Sequence, residues 1–248
     1  METPGLKPFS PAKPVADTKQ LIELAGQLYA DVSLLRRWRM TLRPRICPFD
    51  RIVSLVPPAS QVLDIGCGQG LLLGFLAARR RLRNGVGVDV DRGAILAARE
   101  MSRSPLVARS KSKLTFFTLE DFRSQNRKRF SVVTAIDIFH HVPVPEREGL
   151  LREIAAWIEP GGLLLYKDVA QKPFWRKWWN RIHDFIMTRE RIREMPLDYA
   201  KTCAVAAGLR LSREEKLVCG VLYGHDLLVF SKPGQIGGDV APRSAGPV

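Results

Sequence analysis

Between residues 61 and 170, short apolar runs alternate with stretches of helical periodicity. Gln61 to Ile65, Gly85 to Val90, Leu114 to Thr118, Ser131 to Ile136 and Leu163 to Asp168 read as strands. Residues 70 to 80, 92 to 101 and 145 to 158 read as helices, the last ended by Pro160, Gly161 and Gly162. Strand and helix in alternation predict a doubly wound α/β domain, a mostly parallel sheet covered on both faces. Residues 197 to 207, closed by Gly208, add a helix, and residues 209 to 231 supply two last strands. Upstream, Asp17 is a helix N-cap, and Leu21, Ile22, Leu24, Ala25, Leu28 and Tyr29 recur at helical spacing behind it. A second, basic amphipathic stretch passes through Leu34, Leu35, Trp38 and Leu42.

This pattern divides the chain. Pro4, Pro8, Pro11 and Pro14 make residues 1–16 a disordered leader, because proline removes the donors a helix or strand would use. Residues 17–44 form an N-terminal helical cap, residues 45–232 the main domain, and residues 233–248 a flexible tail rich in glycine and proline. At 248 residues, with 46% hydrophobic and 26% charged, the chain is ordinary globular material. The charge is not ordinary: 39 Lys+Arg against 25 Asp+Glu gives +14, a field that raises encounter rates with anionic partners and says nothing about fold. Cys47, Cys67, Cys203 and Cys219 lie far apart without zinc-finger spacing, so neither a metal site nor a disulfide framework is expected, and a reducing cytoplasm fits. No apolar run is long enough to span a bilayer.

The chemistry concentrates where the first strand meets its helix, Val62-Leu63-Asp64-Ile65-Gly66-Cys67-Gly68-Gln69-Gly70. Glycines at alternate positions let a backbone approach a ligand closely. A dinucleotide-binding turn shares this look, but its spacing is GxGxxG, and the Asp64 charge would oppose a pyrophosphate on the helix N-terminus. A cofactor bearing a sulfonium and an ammonium, S-adenosylmethionine, suits that carboxylate better. Asp89 ends the next strand about 20 positions on, where a carboxylate accepts ribose hydroxyls. In Phe116-Phe117-Thr118-Leu119-Glu120-Asp121-Phe122, Asp121 is placed at the third strand's end to accept from an adenine amino group, with Phe122 to pack on the ring. The fourth strand leads into Asp137-Ile138-Phe139-His140-His141, and Asp137 joins the cofactor set.

These motifs resemble the Rossmann-like (class I) S-adenosylmethionine-dependent methyltransferases, over roughly residues 45 to 232, with Tyr223 to Phe230 similar to that family's antiparallel seventh strand. The resemblance implies a seven-stranded sheet, with Asp64, Gly66, Gly68 and Gly70 bordering the methionine moiety, Asp89 the ribose, and Asp121 with Phe122 the adenine. It departs at Ser131, where relatives often carry Asp, and the Pro-Pro-Tyr type signature of amino methyltransferases is missing after the fourth strand. Oxygen or carbon is therefore the expected acceptor, on a small molecule or one bound to an acidic carrier or CoA. The likeness is closest to small stand-alone enzymes of bacterial secondary or lipid-related metabolism.

On the acceptor side, His140 and His141 are candidates to take a proton, or else cap the strand and pack beneath the cofactor. In residues 172 to 187, Phe174, Trp175, Trp178, Trp179, Ile182, Phe185 and Ile186 form one apolar stripe backed by Arg176, Lys177 and Arg181. That stripe reads as a substrate lid, with a core-packing helix and an interfacial helix on an anionic membrane at the inner face as alternatives. His183 on it is a third catalytic candidate, and Tyr166, Lys167 and Asp168 are placed to meet substrate or lid. Basic runs are scattered, and no RNA-binding signature appears, so a nucleic-acid partner is not expected. The alternatives to this methyltransferase reading are a noncatalytic cofactor-binding or membrane-associated scaffold, and a nicotinamide-dependent dehydrogenase; RNA methylation is a lesser option.

Overall fold

The computed structural model describes residues 17–126, 128–169, 195–219 and 223–234. The leader, most of the tail, the proposed lid, Trp175, Trp178, Trp179 and His183 lie outside the described residues. The strands are β1 (Ser60–Ile65), β2 (Leu82–Asp89), β3 (Lys113–Thr118), β4 (Phe130–Ile136), β5 (Ile158–Val169), β6 (Arg210–Cys219) and β7 (Tyr223–Ser231). They form one seven-stranded sheet in the order β3-β2-β1-β4-β5-β7-β6, and β7 runs antiparallel to both its neighbours. The order reverses between β1 and β4, the crevice where open α/β sheets bind ligands. The doubly wound α/β fold and the antiparallel last strand are as the sequence predicts.

The helices are α1 (Thr18–Leu28), α2 (Leu34–Ile46), α3 (Phe49–Leu55), α4 (Leu71–Ala78), α5 (Arg92–Met101), α6 (Pro105–Ser110), α7 (Leu119–Gln125), α8 (Val144–Trp157) and α9 (Leu197–Ala206). Leu21, Phe49, Phe75, Ile95 and Val107, from α1, α3, α4, α5 and α6, share one core with Val62 and Val132 of the sheet. Phe122, Leu151, Ile154 and Cys203, from α7, α8 and α9, pack with Leu63, Val133 and Leu164 in the other. Both faces of the central strands are thereby buried, which is why β1 and β4 read as continuous apolar runs. Asp17 caps α1 as expected, accepting from the Gln20 N–H at 2.7 Å.

In the segment from residue 17, Leu21, Ala25 and Tyr29 are fully buried among residues of α3 and α4. β5 begins at Ile158, directly after α8, and runs through Pro160 and Gly161 instead of starting at Leu163. The Ser131 hydroxyl accepts from the Gln61 N–H at 2.9 Å and donates to the Gln61 carbonyl at 3.1 Å. That pairing joins the starts of β4 and β1.

Candidate functional site

The glycine turn leaves β1 with positive φ at Gly66, Gly68 and Gly70. The Gly66 and Cys67 N–H groups both donate to the Val88 carbonyl, at 2.7 and 3.0 Å, folding the turn onto β2. At Gly66 a Cβ would lie 2.1 Å from Ile138 Cγ2, so packing against the loop after β4 excludes a side chain. At Gly68 a Cβ would meet nothing within 4 Å, which leaves open space in front of a backbone conformation that glycine favours. Asp89 locks the arrangement: Oδ2 accepts from the Gly68 N–H at 2.8 Å and Oδ1 from the Asp91 N–H at 2.9 Å. Its remaining lone pairs keep acceptor capacity at the end of β2.

Asp64 lies buried beneath the turn, with Thr134 Oγ1 donating to it at 2.6 Å. Burial pushes its carboxyl up to about 7, against the Thr134 hydrogen bond and with help from the nearby Asp89 charge. A cation brought close would favour the ionised form, so the group is poised to respond to one.

Sequence reasoning missed Tyr29, whose hydroxyl, at the C-cap of α1, donates to the Gln69 carbonyl inside the turn at 2.7 Å. Its signal was a tyrosine among purely apolar helix positions, since a buried phenol needs a polar partner. Tyr29→Phe leaves that carbonyl without its donor. Urea denaturation is expected to show a loss of about 1 kcal/mol, and an unchanged midpoint would mean the bond contributes nothing.

The adenine-side residues have other partners in the structure. β3 ends at Thr118, opposite Asp89 in register, and Asp121 lies in the first turn of α7. Thr118 Oγ1 donates to Asp121 Oδ2 at 2.7 Å and accepts from the Asp121 N–H, so this carboxylate is turned back onto the helix start. Phe122 presents no free ring face. It is buried against Trp157, with centroids 5.0 Å apart at 79°, and against Phe117 and Phe130. A cavity of about 580 Å³ does sit at the ends of β2 and β3, lined by Val90, Arg92, Thr118, Leu119, Glu120, Arg123 and Ser124. The N-cap preference of threonine was the overlooked signal.

Beyond β4, Asp137 adopts positive φ and its N–H donates to the Lys167 carbonyl at 2.8 Å. Its carboxylate oxygens accept from the buried Lys167 ammonium at 2.6 and 2.7 Å. Burial opposes charge on both partners. Lys167 nevertheless holds Asp137 well below the usual carboxylate range, and Asp137 in turn holds Lys167 above the usual amine value. The Asp137 carboxylate is thus committed to an ion pair between β4 and β5.

His140 and Asp168, both buried, meet through Nδ1 and Oδ1 at 2.6 Å, and the Tyr166 hydroxyl donates to Asp168 Oδ2 at 3.4 Å. The exposed His141 lies against His140, ring centroids 4.2 Å apart. Among the described residues, Asp137, His140 and Asp168 bring three ligand atoms within 4.8 Å of one another. The Lys167 ammonium already supplies positive charge to that cluster. His225 of β7, unremarked in the sequence, is buried nearby, and its imidazole is pushed down to about 3 by burial and the Lys167 charge.

The model of a family described as "Methyltransferase domain" matches residues 28–214. The ubiquinone biosynthesis O-methyltransferase of Vibrio vulnificus (strain YJ016) is 32% identical over 117 residues, 44% of this chain and 43% of that protein. The mitochondrial counterpart from Saccharomyces cerevisiae is 29% identical over 115 residues, 46% of this chain and 35% of its own. The chain therefore spans less than half the length of these relatives. Magnesium protoporphyrin IX methyltransferase from Synechocystis PCC 6803, solved with bound SAH, superposes with a TM-score of 0.61 at 17% identity, covering 87% of this chain and 95% of that one. An O-methyltransferase family protein from Burkholderia thailandensis gives 0.64 at 18% identity, over 84% and 62%.

Proposed function

Since the chain belongs to this methyltransferase domain family, we propose that it moves a methyl group from S-adenosylmethionine to a hydroxyl oxygen of a small-molecule acceptor. One observation carries the reading. The open turn at Gly68, tied to Asp89, packs through Gly66 and Ile138 against the loop that presents the His140–Asp168 pair.

The residues present suit that cofactor. Asp89 offers acceptors for ribose hydroxyls, Gly68 admits the amino-acid portion past a bare backbone, and Asp64 supplies negative charge beneath it. The cavity by Val90, Thr118 and Leu119 would take the base, in place of Asp121 and Phe122. When bound, the cofactor supplies a methyl group on a sulfonium whose departure leaves a neutral thioether, so alignment provides much of the rate. His140 takes the acceptor's hydroxyl proton. Asp168 accepts the Nδ1–H, which fixes the tautomer with its lone pair on Nε2 and stabilises the imidazolium that forms. Names of the relatives support oxygen as the acceptor atom. The excess of +14 suits an acceptor that is anionic or linked to an acidic carrier or CoA.

Titration calorimetry with S-adenosylhomocysteine tests the cofactor site. Asp89→Ala frees the Gly68 N–H and removes the ribose acceptors, and affinity is expected to fall about 100-fold, given two charge-assisted hydrogen bonds. Folded wild-type protein that does not bind would overturn the reading.

A further inference from the structure

Most of the large apolar side chains of the described residues are packed away, but α2 exposes three together. Leu34 is 83% exposed, Leu35 63% and Trp38 58%. Their spacing of i, i+1 and i+4 puts them on one flank of the helix. Other flanks do the packing: Met40 lies against the core and Pro44 is buried. The exposed flank is consequently not needed to hold α2 in place. Across the edge of the helix, Arg36 reaches Glu100 of α5 at 3.1 Å, and Leu96, one turn before Glu100, is 65% exposed.

Charge decides what fits this patch. α2 holds Arg36, Arg37, Arg39, Arg43 and Arg45 and no acidic residue. Arg37 and Arg39 are exposed beside Trp38. An acidic protein would satisfy the arginines, but two leucines and a tryptophan standing into water want an apolar phase behind the anionic layer. An anionic bilayer offers both, with headgroup phosphates at the depth of the guanidinium groups, acyl chains below, and an interface that tryptophan prefers. No helix among the described residues is long and apolar enough to cross a membrane, so contact through α2 would be peripheral.

We propose that α2 is a docking surface for an anionic lipid bilayer, with Leu34, Leu35 and Trp38 entering the interface and Arg37 and Arg39 meeting lipid phosphates. The proposal is independent of the methyl-transfer reading.

The full chain would be sedimented with vesicles of phosphatidylcholine alone and of phosphatidylcholine with phosphatidylglycerol. Binding is expected to the mixed vesicles only, and to weaken as salt rises. Leu34→Ser, Leu35→Ser and Trp38→Ser combined should lower the partition coefficient at least about tenfold, and Arg37→Gln with Arg39→Gln several-fold. Brominated lipid should quench wild-type fluorescence more than that of Trp38→Phe, a variant with minimal demand on folding. Unchanged S-adenosylhomocysteine affinity in each variant would report an intact domain. The proposal fails if wild-type protein ignores anionic vesicles, if the triple variant binds them equally well, or if the arginines engage only an acidic carrier protein.

Discussion

Replacing His140 with alanine is expected to lower turnover by about 10²- to 10⁴-fold, the usual contribution of a positioned general base. S-adenosylhomocysteine affinity should stay within about twofold, because the imidazole lies on the loop after β4, apart from Asp89 and Gly68, which we propose as the cofactor's partners. Asp168→Asn is the sharper companion. The amide keeps the shape but offers Nδ1 a donor where the carboxylate accepted at 2.6 Å, which favours the wrong tautomer. Turnover should drop again with binding intact. Equal kcat in wild type and His140→Ala would mean that alignment alone suffices, and that the buried pair serves only to join β4 to β5.

The largest stability effect is expected from Lys167→Met. The side chain is 1% exposed and Asp137 is 19% exposed, so removing the ammonium strands a carboxylate in a site with little water. Breaking such a pair from one side costs about 3 to 5 kcal/mol, which corresponds to a fall in Tm of roughly 6 to 15 °C for a domain of this size. Asp137→Asn added to Lys167→Met should recover part of the loss, since asparagine tolerates the positive φ and carries no charge. The pH dependence follows from the directions of the two shifts. Asp137 is lowered from 3.8, so its contribution is present above that value and lost as acid reaches its depressed folded value. Lys167 is raised from 10.5, so its contribution is complete below that value and lost as pH climbs through the folded one. Between these limits the variant's deficit should be flat, and thermal melts across neutral pH check it.

Most of the sheet was readable because buried parallel strands are short, apolar and punctuated by glycine and carboxylate. The turn at Gly66 to Gly70 and the placement of Asp89 were legible for the same local reason. α7 was not read because a seven-residue helix offers too little periodicity to reveal itself. Without it, Asp121 was set at the strand's end although the strand itself was read to Thr118, and the packing of Phe122 against Trp157 was not foreseen. Tyr166, Lys167 and Asp168 stood out in the sequence, but alternation along β5 says only which face each shares. That Lys167 closes on Asp137 and Asp168 on His140 depends on the pairing of β4 with β5, some 30 residues apart in the chain. The partner of Tyr29 was hidden in the same way, lying 40 positions downstream.

The packing of α1 separates two kinds of boundary. Similarity to the family starts at Leu28, the final residue of that helix. Physically the folding unit starts earlier, because Leu21 and Ala25 fill the same interior as Phe49 and Phe75. Those upstream positions answer to a requirement of volume and polarity that many sequences meet, so ancestry fades from them faster than from the glycine turn. Inheritance is legible where backbone geometry admits one residue type; cohesion extends wherever space must be filled. A chain trimmed to its recognisable kinship would keep its signature and lose part of its interior.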